Sequence, residues 1–188
     1  MMESATSILG PWSNFYVLCG SSAGALTGLM FVVITLVGGV ERSQNTTRDG
    51  MSVFSTPTVV HFGSALVISA ALSAPWGSLI SPAVLLGLAG LCAIIYVTRA
   101  WARTRNFTGY QPDLEDLCWF TILPLIAYGV ILVGSIMLPF VSIQAMFAIA
   151  AGVLMLIIIG IRNAWDIVTY LAIEGPGAPN DKPADRPR

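Results

Sequence analysis

The feature that most constrains this chain is the confinement of its charged residues to a few short segments. No Asp, Glu, Lys or Arg occurs in residues 4–40, 50–98 or 117–161, windows of 37, 49 and 45 residues. One membrane-spanning helix needs about 20 predominantly apolar residues. The first window therefore has room for one span and the other two for two each, which predicts an all-α integral membrane protein with five transmembrane helices.

Composition points to the same class and argues against others. Only 10% of the 188 residues are charged and 55% are hydrophobic, whereas a soluble domain carries about 25% charged residues. The formal net charge of −1 offers no basic surface to a nucleic acid, so no nucleic-acid partner is expected. The expected environment is the lipid bilayer of the cytoplasmic (inner) membrane, crossed several times.

The apolar windows divide into five predicted spans. Numbered in chain order as spans 1 to 5, they cover residues 14–39, 57–75, 82–103, 117–138 and 143–170. Together they form a transmembrane domain over residues 1–174. The remaining segment, 175–188, is rich in Pro and charge and is predicted to be a disordered cytoplasmic tail.

Orientation follows from the basic residues, which membrane proteins concentrate in cytoplasmic loops. All nine Lys and Arg residues lie in the C-terminal part of span 3 or span 5 or in the segments that follow spans 1, 3 and 5. An odd number of spans places them on one side, so the N-terminus is expected outside and the C-terminus in the cytoplasm. The five Trp residues fall near predicted span ends, where amphipathic rings collect at the membrane interface.

A weak internal similarity suggests how the spans are grouped. A shift of 64 residues places Pro75 on Pro139 and Ala100-Trp101 on Ala164-Trp165. This predicts span 1 plus two helical hairpins, spans 2–3 and spans 4–5, related as a parallel repeat. The alternative is two independent hairpins whose outer turns both use Pro and an aromatic residue.

Span 1 carries glycines at a four-residue interval, Gly20, Gly24 and Gly28. Helices associate in lipid through close packing, and small residues let their backbones approach. The glycine face is therefore predicted to pack against another helix. The partner is left open between three candidates: span 2 through Ala65, Ser69 and Ser73; span 5 through Ala148, Gly152, Gly160 and Ala164; or span 1 of a second subunit.

Few polar side chains lie within the spans. His61 is the single histidine, and an imidazole within a membrane is a functional candidate because its charge changes near physiological pH. We interpret His61, together with Ser21, Ser22 and Thr27, as candidate pore or gating residues. The alternative is a structural histidine close enough to the inner interface to reach water or a carbonyl group.

A second polar group lies where spans 3 and 5 meet the predicted cytoplasmic side. It contains Arg99, Arg103, Arg162, Asn163 and Asp166, with Arg162 and Asp166 four residues apart on one helix. These residues are typical of snorkelling arginines and ion pairs. They are also compatible with a vestibule or a seat for anionic lipid headgroups.

No catalytic motif accompanies these groups, so an enzyme is not expected. His61 has no second histidine, cysteine or carboxylate at ligand spacing, and no metal or cofactor is predicted. Five helices are too few to enclose an aqueous path easily within one subunit, which favours a homo-oligomer. The leading hypothesis is a channel or permeation protein for a small ion or solute, lined by spans 1 and 2. The alternative is an accessory or assembly subunit that binds another membrane protein through its small-residue grooves.

Overall fold

A computed structural model describes residues 5–41, 49–105 and 114–173, and all of the regular structure in these ranges is helical. Seven α-helices follow one another in this part of the chain: α1 (Ala5–Leu9), α2 (Ser13–Glu41), α3 (Asp49–Ser73), α4 (Ile80–Arg105), α5 (Leu114–Leu117), α6 (Leu123–Met137) and α7 (Ser142–Ile173). A 3-10 turn, Gly10–Trp12, joins α1 to α2, and a π-helical turn, Cys118–Ile122, joins α5 to α6.

Four helical stretches in the described ranges are long and apolar enough to cross a membrane. They are Ala5–Thr35, Ile80–Ala102, Cys118–Met137 and Ser142–Thr169. The apolar part of α3, Pro57–Ser73, is shorter. The chain is thus an all-helical, multi-pass membrane protein with four to five candidate spans.

The predicted span boundaries agree closely with the helices except at span 2, which begins at residue 57 whereas α3 begins at Asp49. Pro57 therefore lies inside the helix rather than at its start. The apolar run marks the part of a helix that suits lipid, whereas the backbone hydrogen bonds continue into polar sequence. The predicted tail, 175–188, lies outside the described residues.

Pro124 explains the π-helical turn before α6. Proline has no N–H to donate and its ring collides with the preceding turn of an α-helix. The turn immediately upstream is widened, with the Leu123 N–H bonded to the Cys118 carbonyl five residues back. π-Helical turns are rare and occur mostly as single-turn bulges within α-helices.

The helices pack in an order that differs from their order in the chain. The helix α2 lies against α3, α3 against α7, α7 against α6, and α6 against α4. By contrast, α3 and α4 touch little, although only residues 74–79 connect them. A lateral opening therefore separates these two helices.

This order does not support the predicted repeat. In the hairpin of α6 and α7 the two helices pack along their lengths, whereas the hairpin of α3 and α4 is splayed and each member packs on another helix. The sequence match at the outer turns is better explained by two separate turns that both use Pro followed by an aromatic residue. The structure thus favours the alternative of two independent hairpins.

The closest helix approaches occur at glycines of α6 and α7. A Cβ atom built on Gly152 would lie 2.5 Å from Ile131 Cγ1, and one on Gly134 would lie 2.8 Å from Ile149 Cγ1. The ring of Phe62 in α3 lies directly over Gly160 in α7. Small residues therefore bring α7 into contact with both α6 and α3, as expected where packing alone drives association.

The predicted glycine face of span 1 is only partly covered. A Cβ atom on Gly20 would lie 3.1 Å from Ser69 Cβ, and one on Gly24 would lie 3.8 Å from Leu66 Cδ1, both in α3. At Gly28 no described atom lies within 4 Å of such a Cβ. The face therefore packs on α3 at one end and is open at the other.

Candidate functional site

Several polar side chains are buried among the apolar helices, where they are costly unless they are paired. The buried polar residues in the described ranges are Thr58, His61, Ser69, Thr121, Ser135 and Asn163. Ser135 is paired within its own helix, because its hydroxyl donates to the Ile131 carbonyl at 2.7 Å. The most connected of the others is His61.

His61 belongs to a three-residue cluster that joins α3 to α6. Its Nδ1 atom lies 2.9 Å from the Tyr128 hydroxyl, which donates to the Ser64 hydroxyl at 3.1 Å. We call His61, Ser64 and Tyr128 the His–Ser–Tyr cluster.

Tyr128 of the cluster lies near the middle of its apolar helix, whereas His61 lies four residues into the apolar stretch Pro57–Ser73. Tyr128 stands about halfway along the apolar stretch Cys118–Met137, so roughly 14 Å of helix separates it from either end. His61 and Tyr128 are fully buried, and Ser64 is half-buried. A hydrogen-bonded group at this depth is an uncommon feature in lipid.

Three buried side chains carry polar atoms without a hydrogen-bond partner among the described residues. They are His61 at Nε2, Ser69 at its hydroxyl, and Asn163, whose amide oxygen and nitrogen are both unpaired. Asn163 is one turn beyond Gly160, the residue that contacts Phe62. The buried surface of α7 near α3 therefore presents unused hydrogen-bonding capacity.

A groove of about 280 Å³ opens beside the cluster, between α3 and α4. Val60, Gly63, Ser64 and Val67 line it from α3, with Ala89 from α4 and Tyr128 from α6. Most of these groups are small or apolar, while Ser64 and Tyr128 place hydroxyl groups on its lining. The splayed packing of α3 and α4 is what creates this space.

The four predicted pore residues do not form one wall. Ser21 is exposed on α2, Ser22 is half-buried, and the Thr27 hydroxyl donates to the Ala23 carbonyl of its own helix at 2.8 Å. His61 instead faces Tyr128 of α6. A path lined jointly by α2 and α3 within one subunit is therefore not seen in the described part of the chain.

The structural alternative for His61 also needs correction. It was expected to reach water or a carbonyl near the inner interface, but the side chain is fully buried and bonded to a tyrosine hydroxyl. The reason is that α3 starts eight residues before the predicted span. The membrane-embedded surroundings of His61 come from α6 rather than from the end of its own helix.

The predicted rim group is organised around Arg162. Its guanidinium lies 2.8 Å from Glu115 Oε1 and also pairs with Asp166, the i,i+4 ion pair expected from the spacing. The same group lies 5.7 Å from the Trp119 ring centroid, a cation–π distance. Two carboxylates thus balance this charge, and the rim near Arg162 is not simply basic.

The other rim residues are not part of this arrangement. Arg99 is exposed, Asn163 is buried without a partner among the described residues, and the side chain of Arg103 lies outside the described set. The five residues thus separate into an ion-paired Arg162–Asp166 pair, an exposed arginine and a buried amide. Only the paired ones support the snorkelling and ion-pair interpretation.

Sequence reasoning missed Ser64 and Tyr128. The available signal was the position of Tyr128 at the centre of span 4, since tyrosine in membrane proteins prefers the interfaces. Ser64 lies three residues after His61 and so shares part of its helix face. The sequence offered a tyrosine at the centre of span 4 and a histidine four residues into span 2.

In the described ranges, no group of three His, Cys, Asp or Glu side chains is placed to hold a metal ion. Comparison of the chain with models of protein families, with curated proteins and with solved structures found no match.

Proposed function

We propose that the chain crosses the cytoplasmic membrane five times, with its N-terminus outside and its C-terminus inside. The distribution of the nine basic residues supports this orientation. The length of α3, 25 residues, supports counting it as the fifth span, because about 20 residues suffice to cross the hydrocarbon core.

Within this topology, we propose that the protein lets a small polar solute cross the membrane along α3. The observation that carries the proposal is that α3 bears a polar side chain at almost every turn of its apolar part: Thr58, His61, Ser64, Ser69 and Ser73. These positions extend over about 22 Å of helix, most of a hydrocarbon core about 30 Å thick. Polar residues inside membrane bundles commonly mark solute pathways.

The unpaired buried groups supply sites at which a solute exchanges hydrogen bonds. His61 Nε2 and the Ser69 hydroxyl belong to α3, and the Asn163 amide belongs to the neighbouring α7. A solute that bonds to these groups recovers hydrogen-bond energy that the folded chain leaves unused. The proposed path thus follows the buried polar side chains of α3 and α7 rather than the predicted wall of spans 1 and 2.

The chemistry of this surface favours an uncharged solute over an ion. All buried polar side chains in the described ranges are hydroxyl, amide or imidazole groups, and the charge of Arg162 is balanced by Glu115 and Asp166. The rim arginines therefore give little support to a preference for anions.

The proposal includes a homo-oligomer. The outer face of α2 is uncovered at Gly28, where a built Cβ meets no described atom within 4 Å, and Phe31 and Val32 beside it are exposed. A second copy placed against this face would use the small-residue packing available to helices in lipid.

Stopped-flow light scattering on proteoliposomes tests the permeation proposal. Vesicles with the protein are expected to equilibrate a small uncharged solute such as glycerol or urea faster than empty vesicles. Thr58→Val and Asn163→Leu are expected to lower the rate several-fold, whereas Ser21→Ala, on the exposed face of α2, leaves it unchanged. Equal rates in loaded and empty vesicles would refute permeation of these solutes.

The open face at Gly28 also favours the second candidate, an accessory subunit that binds another membrane protein. The two candidate functions predict different masses for the purified particle and different solute fluxes. A discrete homo-oligomer with solute flux supports permeation. A chain without flux whose Gly28→Cys variant crosslinks, in native membranes, to a different polypeptide supports the accessory role.

A further inference from the structure

The buried amide of Asn163 lies where three helices meet. Gly160, one turn before Asn163 on α7, lies against Phe62 of α3, and Gly152, three turns before it, lies against Ile131 of α6. Residues separated by whole turns share one face of a helix, so Asn163 belongs to the α7 surface at the junction with α3 and α6. Its side chain has no exposed area, and neither its oxygen nor its nitrogen has a partner among the described residues.

The segment Leu114–Ile122, made of α5 and the π-helical turn, reaches the level of this amide. Arg162, the residue before Asn163, lies 2.8 Å from Glu115 in α5, which sets the two parts of the chain side by side. Glu115 is exposed, whereas Thr121 at the other end of the segment is buried. The segment therefore extends from the surface of the protein to its interior, and we call it the cover segment.

The cover segment joins α6 at a point where a helix bends readily. Its π-helical turn ends at Ile122, two residues before Pro124. Sharp helix kinks occur mainly at prolines and at π-helical turns, because both interrupt the regular ladder of backbone hydrogen bonds. A rotation about this point moves the cover segment relative to α6.

Two opposing contributions set the free energy of such a movement. The Arg162 and Glu115 side chains are 34% and 66% exposed, so water and salt screen the ion pair that keeps the cover segment in place. The unpaired Asn163 amide has lost its hydrogen bonds to water, and hydration restores them. The weak ion pair thus opposes opening while the amide favours it, which makes this part of the bundle easier to open than its core.

We propose that the cover segment opens about the π-helical turn and admits water to Asn163, with the contacts of Arg162 keeping it closed. Opening breaks the ion pair with Glu115 and the cation–π contact with Trp119, and water then pairs with the Asn163 amide. The inference goes beyond the permeation proposal and does not depend on it, because its test measures exposure of the chain rather than solute flux.

Thiol labelling of the full chain in nanodiscs tests the opening. Thr121→Cys places a buried reporter in the cover segment, and Ser135→Cys places a control reporter, equally buried, farther along α6. Each is introduced into a chain in which Ala replaces the native cysteines, Cys19, Cys92 and Cys118. Iodoacetamide, which is uncharged, is expected to label Thr121→Cys several-fold faster than Ser135→Cys. Equal rates at the two reporters overturn the proposal, because the segment then opens only when the whole bundle unfolds.

Arg162→Leu addresses the contacts that keep the segment closed. It is expected to raise the labelling rate of Thr121→Cys about fivefold, the factor for the strongest exposed ion pairs. Added salt is expected to raise the rate in the chain with Arg162 and to have little effect in Arg162→Leu. An unchanged rate in Arg162→Leu overturns the role given to Arg162.

Substitution of Asn163 separates hydration from a purely structural role. Asn163→Leu and the smaller Asn163→Val remove the unpaired amide, so the closed form no longer carries its cost and labelling of Thr121→Cys is expected to slow several-fold. A structural amide predicts the opposite sign, since its loss would loosen the packing and speed labelling. A rate that neither variant lowers overturns the proposed hydration of Asn163.

Discussion

The Nδ1 atom of His61 in α3 lies 2.9 Å from the hydroxyl oxygen of Tyr128 in α6, and both side chains are buried. These two helices are not neighbours in the chain. The bond therefore fixes α3 against α6 at mid-span, beside the place where α3 separates from α4. A change in this hydrogen bond is therefore expected to alter both the stability of the bundle and the shape of the groove.

The first prediction concerns the energy of this bond. Tyr128→Phe keeps the ring and removes the hydroxyl, which leaves His61 Nδ1 and the Ser64 hydroxyl without that partner. We expect the free energy of unfolding in mixed micelles to fall by about 1–3 kcal/mol. Denaturation by increasing SDS, followed by circular dichroism, measures the change.

A double-mutant cycle separates the bond from the rest of the cluster. His61→Leu and Tyr128→Phe are combined, and the coupling energy is expected to be about 0.6–1.7 kcal/mol, the range measured for hydrogen bonds between membrane helices. Strictly additive effects would show that the two side chains do not interact.

The second prediction concerns the contact between Phe62 and Gly160. Because the aromatic ring lies directly over the glycine, Gly160→Ala is expected to destabilise the fold by about 1–3 kcal/mol through overpacking. Gly28→Ala is the control, since a Cβ there meets no described atom within 4 Å. The same SDS titration measures both variants.

Relief of the overpacking supplies the decisive comparison. Phe62→Leu removes the ring, so Gly160→Ala in that background is expected to cost less than in the wild type. If Gly160→Ala is as costly without the ring as with it, the destabilisation does not come from this contact.

The third prediction separates the two ends of the glycine face of α2. Gly20→Leu places bulk 3.1 Å from Ser69 Cβ and is expected to destabilise the single chain. Gly28→Leu is expected to leave the chain folded and to lower the order of the proposed homo-oligomer. Mass measurement in mild detergent and the SDS titration together distinguish these outcomes, and an unchanged oligomer in Gly28→Leu contradicts the proposed subunit contact.

The sequence predicted the helical class and most helix positions because both depend on local properties. A charge-free window such as 117–161 needs no knowledge of neighbours to be recognised as two spans, and Pro124 disturbs its helix through its own geometry. The glycines were informative about helix packing in general. Which glycines make the closest contacts depends on the order in which the helices pack. The closest contacts are at Gly152 and Gly160 rather than at Gly24 or Gly28.

The candidate site was harder to predict from the sequence, because it too depends on which helices pack together. His61 was found as an isolated imidazole, but its partner lies 67 residues away in a helix whose contact with α3 no local pattern specifies. The groove exists because α3 and α4 make little contact with each other. Apolar helices of similar composition offer many alternative packings, and the sequence periodicity does not choose between them.

The last prediction concerns the ion pairs of Arg162, of which the pair with Glu115 joins α7 to α5. The Arg162 and Glu115 side chains are 34% and 66% exposed, so water and salt screen their attraction. Glu115→Gln is therefore expected to lower the free energy of unfolding by less than about 1 kcal/mol. The loss is expected to shrink further as salt increases, because the remaining interaction is electrostatic.

Arg162→Leu provides the contrasting case at the same position. It removes the partner of both carboxylates and the cation–π contact with Trp119, so it is expected to cost more than Glu115→Gln at every salt concentration. The comparison is made by SDS titration at low and high salt, with Arg99→Leu as a control on an exposed arginine. If Arg162→Leu and Arg99→Leu have equal effects, the cluster does not hold α5 against α7, and Arg162 acts only as an interfacial charge.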